Sequence, residues 1–271
     1  MPSYVVTGAS RGLGFEFVRQ LSNDSNNTVI GLVRDKVGTE KAVTKEIGER
    51  SNIHILQADI TDYQALQDAV AATAAITGGA LDYLIANAAY ISKFDAYSPI
   101  GKLGETPEKL EADFLQSFKV NVISNIHLYN LFMPLILAGN AKKVILLSTG
   151  MADLDPINKY EMHNGAGYSL SKAAMNVAVA KFHAQYKKDG VLFMSICPGM
   201  VDTGHQKDAT PEQQESLGAM FQKFITYNPQ FKGPATPEAA IKDVISVWEK
   251  ASIEGGSGGT YVSHHGNKQW L

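Results

Sequence analysis

Met1-Pro2-Ser3-Tyr4-Val5-Val6-Thr7-Gly8-Ala9-Ser10-Arg11-Gly12-Leu13-Gly14 opens the chain. The β-branched and aromatic run Tyr4 to Val6 reads as a buried strand, stopped by a glycine turn. Beyond the turn, Phe17, Val18 and Leu21 recur at helical spacing. Strand, glycine turn and helix in that order make an anion site. The first N–H groups of a helix lack partners and carry a partial positive charge, and a diphosphate satisfies both. Glycines let the backbone approach and take unusual φ/ψ. The spacing is Gly8, Gly12, Gly14, or G-x-x-x-G-x-G, which differs from the common dinucleotide spacing G-x-G-x-x-G. We expect Gly8 at the turn, Gly12 facing a pyrophosphate, and Gly14 where the helix meets the strand.

Working outward, strand-like and helix-like segments alternate, which argues an α/β fold with a parallel sheet and helices on both faces. The strand readings are Thr28 to Val33, Ile53 to Asp59, Leu81 to Ala86, Lys143 to Thr149, Val191 to Ile196 and Thr260 to Ser263. Thr61 is positioned to cap the helix after the third strand, Pro107 opens a long helix through about Leu137, and another runs from Tyr168 to about Lys187. Asn121 sits mid-helix, where it competes for the backbone and suggests a kink, with its carbonyl or amide offered to a water. The chain reads as one domain, 1–271. Its 204–234 stretch is lid-like, loop-rich with one weak helix from Pro211 to Phe224.

The 271 residues are 45% hydrophobic and 19% charged with net charge −3, which suits a compact α/β domain and gives no basic excess for nucleic acid or anionic membrane. Cys197 is the single cysteine, so an intrachain disulfide and a cysteine-based metal site are excluded; a reducing, cytoplasmic setting fits. A strand starting at residue 4 leaves no room for a signal peptide. The apolar stretch Ile126 to Ala138 contains His127, Asn130 and Pro134 and is too short and polar to span a bilayer. His163, His205, His264 and His265 lack metal-ligand spacing. His264 and His265 are expected on opposite sides of a strand, and Cys197 in the core.

The second strand ends at Val33, Arg34 and Asp35, where dinucleotide folds meet the adenosine ribose. A basic residue there accommodates the extra phosphate of NADP, and Arg11 in the glycine turn supplies a second guanidinium. Asp35 argues the other way; the balance favours NADP(H) over NAD(H). Asp59 is placed to accept from an adenine amino group, or to be a turn aspartate.

Tyr168 and Lys172 lie four apart and share a helix face. With 11 tyrosines in the chain, one Tyr-x-x-x-Lys match is about what chance gives, so context decides. Thr7-Gly8-x-x-x-Gly12-x-Gly14, Asp59, Asn87-Ala88-Ala89, Asn121, Ser148-Thr149, Tyr168-x-x-x-Lys172 and Pro198-Gly199-x-Val201-x-Thr203 supply it. In order and spacing the chain resembles the short-chain dehydrogenase/reductases over nearly its whole length, and in Gly31-Leu32-Val33-Arg34 and the ending Tyr261 to Leu271 it resembles the NADP(H)-dependent reductases of fungal specialised metabolism.

The resemblance implies a seven-stranded Rossmann-type sheet and hydride transfer to or from nicotinamide. It makes Tyr168 the general acid, Lys172 the charge that lowers the tyrosine's pKa, and Thr149 or Ser148 the hydroxyl that holds the substrate oxygen. Asn121 would anchor a relay water. The cofactor would contact Gly8, Ser10, Arg11, Gly12, Leu13 and Gly14, then Arg34, Asp59 and Ile60, then Asn87 and Ala88. It would also meet Tyr168, Lys172, Pro198, Gly199, Val201 and Thr203. The chain departs from the family in three places. Ala89 stands where a glycine is usual, Thr149 where a serine is usual, and the stretch from Thr149 to Tyr168 is longer. That insert, with Asp153, Asp155, Lys159, Glu161 and His163, is expected at the pocket mouth.

The implied function is NADPH-dependent reduction of an aldehyde or ketone, with reduction favoured because cellular NADP pools are mostly reduced. Two alternatives remain. One is an imine or iminium reductase, or a cyclisation catalyst that holds NADP(H) and uses pocket acids among Asp153, Asp155 and Glu161. The other is a non-catalytic NADPH sensor. The resemblance also implies a homo-dimer or homo-tetramer, since members of the family commonly pair through the helices carrying Asn121 and Tyr168, and the small outer faces near Ala173, Ala174 and Ala178 permit it; the other partner is a small-molecule substrate.

Overall fold

The computed structural model describes residues 1–204 and 208–271. Its strands are β1 (Ser3–Thr7), β2 (Thr28–Val33), β3 (Ile53–Gln57), β4 (Tyr83–Ala86), β5 (Lys143–Leu147), β6 (Leu192–Cys197) and β7 (Tyr261–Ser263). They form one parallel sheet in the order β3-β2-β1-β4-β5-β6-β7. The order reverses between β1 and β4, and ligands of such sheets bind in the crevice beyond the carboxyl ends at that point.

The helices are α1 (Gly12–Leu21), α2 (Lys36–Glu46), α3 (Tyr63–Thr77), α4 (Ile100–Leu103), α5 (Pro107–Phe118), α6 (Ser124–Ala138), α7 (Leu154–Tyr160), α8 (Ala166–Tyr186), α9 (Pro211–Tyr227) and α10 (Pro237–Lys250). They cover both faces. Side chains of a strand alternate, so neighbouring residues of β1 enter different cores. Val5 joins Leu84, Val144, Leu128, Phe132 and Met175 on one face. Tyr4 and Val6 join Phe17, Ile145, Val244 and Trp248 on the other, where Phe17 stacks on Trp248 at 5.4 Å.

Several expected boundaries shift. Asp59, Ser148 and Thr149 fall just past their strands, in the crevice. Asp62, not Thr61, caps α3, accepting from the Gln64 and Ala65 amides, while Thr61 turns back to Asp59. The expected long helix is divided: Lys119–Ile123 is a π-turn between α5 and α6, with Asn121 in it. A π-turn marks an inserted residue and is a common functional feature. Helix α2 was not foreseen; its apolar pattern is weak, and only Thr39 and Val43 are buried. The run from Pro107 to Ala138 is long and apolar enough to cross a bilayer, but more than half of its most apolar window is buried against the rest of the protein. Leu128, Tyr129, Phe132, Met133, Leu135 and Ile136 supply one of the two cores.

Candidate active site

The glycine turn follows from contacts between the ends of β1 and β4. Gly8 and Gly12 have φ of 68° and 57°, a region that L side chains rarely adopt. A Cβ on Gly8 would come within 2.9 Å of the Ala88 Cα, and one on Gly14 would overlap the Gly8 carbonyl oxygen and press on the Asn87 amide. Asn87 donates through Nδ2 to the Thr7 and Gly8 carbonyls at 3.0 and 3.3 Å. The Thr7 hydroxyl oxygen accepts the Asn87 and Ala88 amides at 3.1 and 3.0 Å. Gly12 faces Thr203, with 3.6 Å from its would-be Cβ to the threonine methyl. Helix α1 starts at Gly12 with no side-chain cap. Its first N–H groups and glycine backbone therefore suit a diphosphate.

Beyond β2, Asp35 caps α2, its Oδ1 accepting from the Gly38 amide at 2.9 Å. Arg11 and Arg34 are exposed. Asp59 Oδ1 accepts from the Thr61 amide and hydroxyl at 2.9 and 2.8 Å. Burial pushes the Asp59 carboxyl up, but those two bonds and the charge of Arg34 outweigh it and hold the group below its ordinary value. Ile60 sends its side chain into the core.

Helix α8 begins at Ala166, which puts Tyr168 in its first turn and Lys172 one turn on. The cap residue is Gly165, at φ 66° and without a side chain. Asp95, fully buried on the loop after β4, takes over: its Oδ2 accepts the Tyr168 amide at 3.1 Å. Lys172 is also buried and donates through Nζ to the Leu147 carbonyl at 2.6 Å. Its Nζ lies 5.7 Å from the centre of the Tyr168 ring. Burial pushes the Lys172 ammonium down to about 8 and the Tyr168 phenol up from its ordinary value.

The hydroxyls after β5 differ. Ser148 Oγ donates to Asn176 Oδ1 at 2.8 Å, whereas Thr149 Oγ1 accepts from the Met151 amide at 3.3 Å and keeps its own hydrogen free. Asn121 is engaged at both ends of its amide. Oδ1 accepts the Tyr90 amide at 2.7 Å; Nδ2 donates to the Tyr90 carbonyl and to Ser171 Oγ, both at 2.9 Å. Ser171 in turn donates to the Tyr168 carbonyl at 2.7 Å. Asn121 therefore ties the end of β4 to the first turn of α8.

Tyr168, Ser148 and Thr149 open onto one cavity of about 430 Å3, together with Leu13 of the glycine turn and the Pro198 to Thr203 loop. The insert does line it, but through Met151, Pro156 and Met162 rather than its charged residues. Asp153 instead caps α7 and accepts from the Trp270 indole at 3.0 Å. Asp155 and Glu161 also lie outside the wall; the acids on it are Asp95 and Asp202. The alternative chemistry built on insert acids loses its placement. Helix α9 supplies Leu217, Met220, Phe224 and Tyr227, and the far wall is Trp270 and Leu271.

Cys197 is buried and accepts the Gly150 amide on Sγ at 3.1 Å; burial pushes its thiol up to about 11. His264 and His265 are not on opposite faces of a strand. β7 ends at Ser263, and in the turn beyond it the two rings lie 3.9 Å apart. His205 lies outside the described residues. Among the described residues no group of three or more His, Cys, Asp or Glu is placed to hold a metal ion.

Sequence reasoning missed Asp95, Asn176, Tyr261 and Trp270. Asn176 carried a signal, since it follows Lys172 by four residues on the same face. The others owe their places to tertiary packing, which brings Asp95 and Trp270 to the cavity and Tyr261 to the Thr149 carbonyl.

A sequence model of the family described as short chain dehydrogenase matches residues 3–214. The chain is 75% identical over 271 residues, the full length of both, to the short chain dehydrogenase virK of Hypocrea virens. It is 52% identical, again over the full length of both, to the short-chain dehydrogenase/reductase iacC of Pestalotiopsis fici. The fold is shared with NADPH-bound carbonyl reductase from chicken fatty liver, at TM-score 0.74, 20% identity and 98% coverage of each chain. It is also shared with the carbonyl reductase Sniffer of Drosophila melanogaster, at TM-score 0.76, 19% identity and 98% coverage of each.

Proposed function

The chain belongs to the short-chain dehydrogenase family of oxidoreductases, and we propose that it is an NADPH-dependent carbonyl reductase acting as one catalytic unit, with Tyr168 as general acid. The observation that carries this reading is the shared cavity. Tyr168 and Thr149 line it together with Leu13, beside the glycine turn, and Thr203.

The residues present fit a dinucleotide. The uncapped start of α1 and the Gly8, Gly12 and Gly14 backbone would hold the diphosphate. Asn87, Ala88 and the Pro198 to Thr203 loop would flank the nicotinamide, and the Asp59 side chain and the Ile60 backbone the adenine. Asp35 is committed to capping α2. That leaves Arg34, with Arg11, to meet a 2′-phosphate through charge-assisted bonds. When bound, the cofactor supplies the hydride.

The chain's own residues handle the proton and the developing charge. Thr149 donates its free hydroxyl hydrogen to the carbonyl oxygen as charge builds there. Tyr168 donates its phenolic proton to the same oxygen. Lys172 in its charged form favours the phenolate left behind. Asn121 acts by position, through Tyr90 and Ser171, and its backbone carbonyl, already met by Asn125 Nδ2 at 2.9 Å, is the atom that would hold a relay water.

The test is NADPH consumption against a panel of aldehydes, ketones, diketones and cyclic imines. Tyr168→Phe should abolish turnover on carbonyls and leave NADPH affinity unchanged, and the wild type should bind NADPH more tightly than NADH. Turnover retained in Tyr168→Phe would refute the acid role. Tighter NADH binding would refute the cofactor preference.

A further inference from the structure

We propose that Trp270 is the specificity-determining residue of the cavity. Its pinned indole sets the size of the apolar group that a carbonyl substrate can carry. Tyr261, on which it lies, is the positioning residue that holds Thr149. The proposal deepens the reductase reading and rests on it.

Four of the cavity's wall residues are methionines: Met151, Met162, Met200 and Met220. Methionine is unbranched and repacks around differently shaped ligands, so these residues accept shapes rather than select among them. Selection needs a rigid wall. Chain ends are ordinarily loose unless tied down. Trp270, next to the last residue of the sequence, is only 4% exposed and is held on every side. Its ring stacks on Tyr261 at 4.4 Å and 21°. Its indole N–H donates to Asp153 of the insert at 3.0 Å, and its backbone amide donates to the Tyr227 hydroxyl on α9 at 2.9 Å. The next carbonyl, Leu271, accepts from Asn228 at 2.9 Å. Gly150 completes the seat, since a Cβ there would come within 2.6 Å of the Trp270 Cβ.

These contacts join the insert, α9 and β7, three segments distant in sequence. They also reach the proposed chemistry, because the Tyr261 hydroxyl donates to the carbonyl oxygen of Thr149. The indole therefore limits the pocket on one face and covers the tyrosine that fixes Thr149 on the other. Beside the polar Ser148, Thr149, Asp95, Asp202 and Thr203, the lining is largely methionine, aromatic and aliphatic. The substrate class this selects is a carbonyl compound with an apolar, ring-sized body.

Graded probes test it: benzaldehyde, 2-naphthaldehyde and 9-anthraldehyde, assayed with wild type, Trp270→Ala, Trp270→Phe, Asp153→Asn and Tyr261→Phe. Trp270→Ala should lose about tenfold in kcat/KM on benzaldehyde, through KM, and move its preference toward 9-anthraldehyde. Trp270→Phe should fall between. Asp153→Asn keeps only one of the two oxygens that serve the Asp155 amide and the indole, so it should loosen the indole and move the size order partway toward that of Trp270→Ala. Tyr261→Phe should lower kcat and leave the size order intact. Far-UV circular dichroism and NADPH affinity identify variants that fold. The same compounds are also ranked by the melting shift each gives the NADP-loaded protein. If the wild type reduces neither these nor any carbonyl compound of the wider panel, the reductase reading fails, and the melting-shift order alone decides the wall. A folded Trp270→Ala with the wild-type size order, by turnover or by melting shift, overturns the proposal.

Discussion

Ser148 and Thr149 are adjacent hydroxyls with different freedom. The Ser148 proton is spent on Asn176; the Thr149 oxygen accepts from a backbone amide and leaves its proton free. Thr149→Val should therefore cut kcat by about a hundredfold, the usual scale for one donor to a developing oxyanion, while Thr149→Ser and Ser148→Ala retain most activity. Steady-state kinetics decide it, and a larger loss from Ser148→Ala would exchange the roles. Lys172 gives a pH prediction. Its ammonium titrates near 8 in the folded protein against an unfolded value of 10.5. Below pH 8 both states are charged and folding bears the full burial penalty. As pH rises through 8 the folded state sheds its proton first, so stability climbs toward 10.5. Cys197, raised from 9.0 to about 11, opposes this only above pH 9. Between pH 7 and 9 the cofactor-free wild type should therefore gain about 1 kcal/mol relative to Lys172→Met, read by urea melts. A flat difference would refute a depressed Lys172. The tyrosine and lysine were legible because one helical turn is a local spacing. Asp95 and Trp270 were not, because their partners lie 73 and 117 residues away.

Elements show where local pattern suffices and where it fails. The glycine turn was legible because steric limits on glycine are local: Gly8 lies at the turn against Ala88 and Gly14 against the Gly8 carbonyl, while Gly12, expected to face a pyrophosphate, lies against Thr203. Asn121 signalled an interruption, but the residue count of a π-turn depends on packing against Tyr90 and Ser171, which no periodicity encodes. Helix α8 is the more testable case. A helix usually draws its cap from the preceding residue. Here that residue is Gly165, and Asp95 acts from another loop, with its second oxygen Oδ1 unpartnered. Asp95→Ala would leave the part-buried Tyr168 amide without its acceptor, at a cost of about 1 kcal/mol. Asp95→Asn keeps an acceptor and discards a buried carboxyl that desolvation pushes up, so it should be near neutral. Urea denaturation of both variants checks the order; equal losses would mean that the charge, not the acceptor, holds the helix.

At the scale of the molecule, alternation of strands and helices argued a parallel sheet and the family resemblance a seven-stranded Rossmann-type one, but the order β3-β2-β1-β4-β5-β6-β7 is seen only in the structure, since spacing does not say which strands are neighbours. The same limit applies to assembly. The sequence pointed to small residues at Ala173, Ala174 and Ala178, yet Ala174 and Ala178 lean on the core. What the packed α5 and α8 pair turns outward is larger: Leu115, Phe118, Leu170 and Val177, with Ile123 from the π-turn, are all exposed. Leu170 and Val177 lie seven apart, two turns along one face of α8. Apolar side chains clustered this way mark an interaction surface more often than a solvated one. A self-complementary two-fold contact is the commonest way for identical chains to cover such a patch. The protein is therefore expected to sediment as a dimer at micromolar concentration. Val177→Glu, which places a charge at the middle of the patch, should shift it to monomer without altering the circular dichroism spectrum. A monomeric wild type by light scattering would leave these side chains as ordinary exposed surface. A dimer indifferent to Val177→Glu would move the interface elsewhere. Because α8 carries Tyr168 and Lys172 in its first two turns, an interface on its outer face would also brace the helix that positions them. A monomeric variant should then lose kcat more than it loses NADPH affinity.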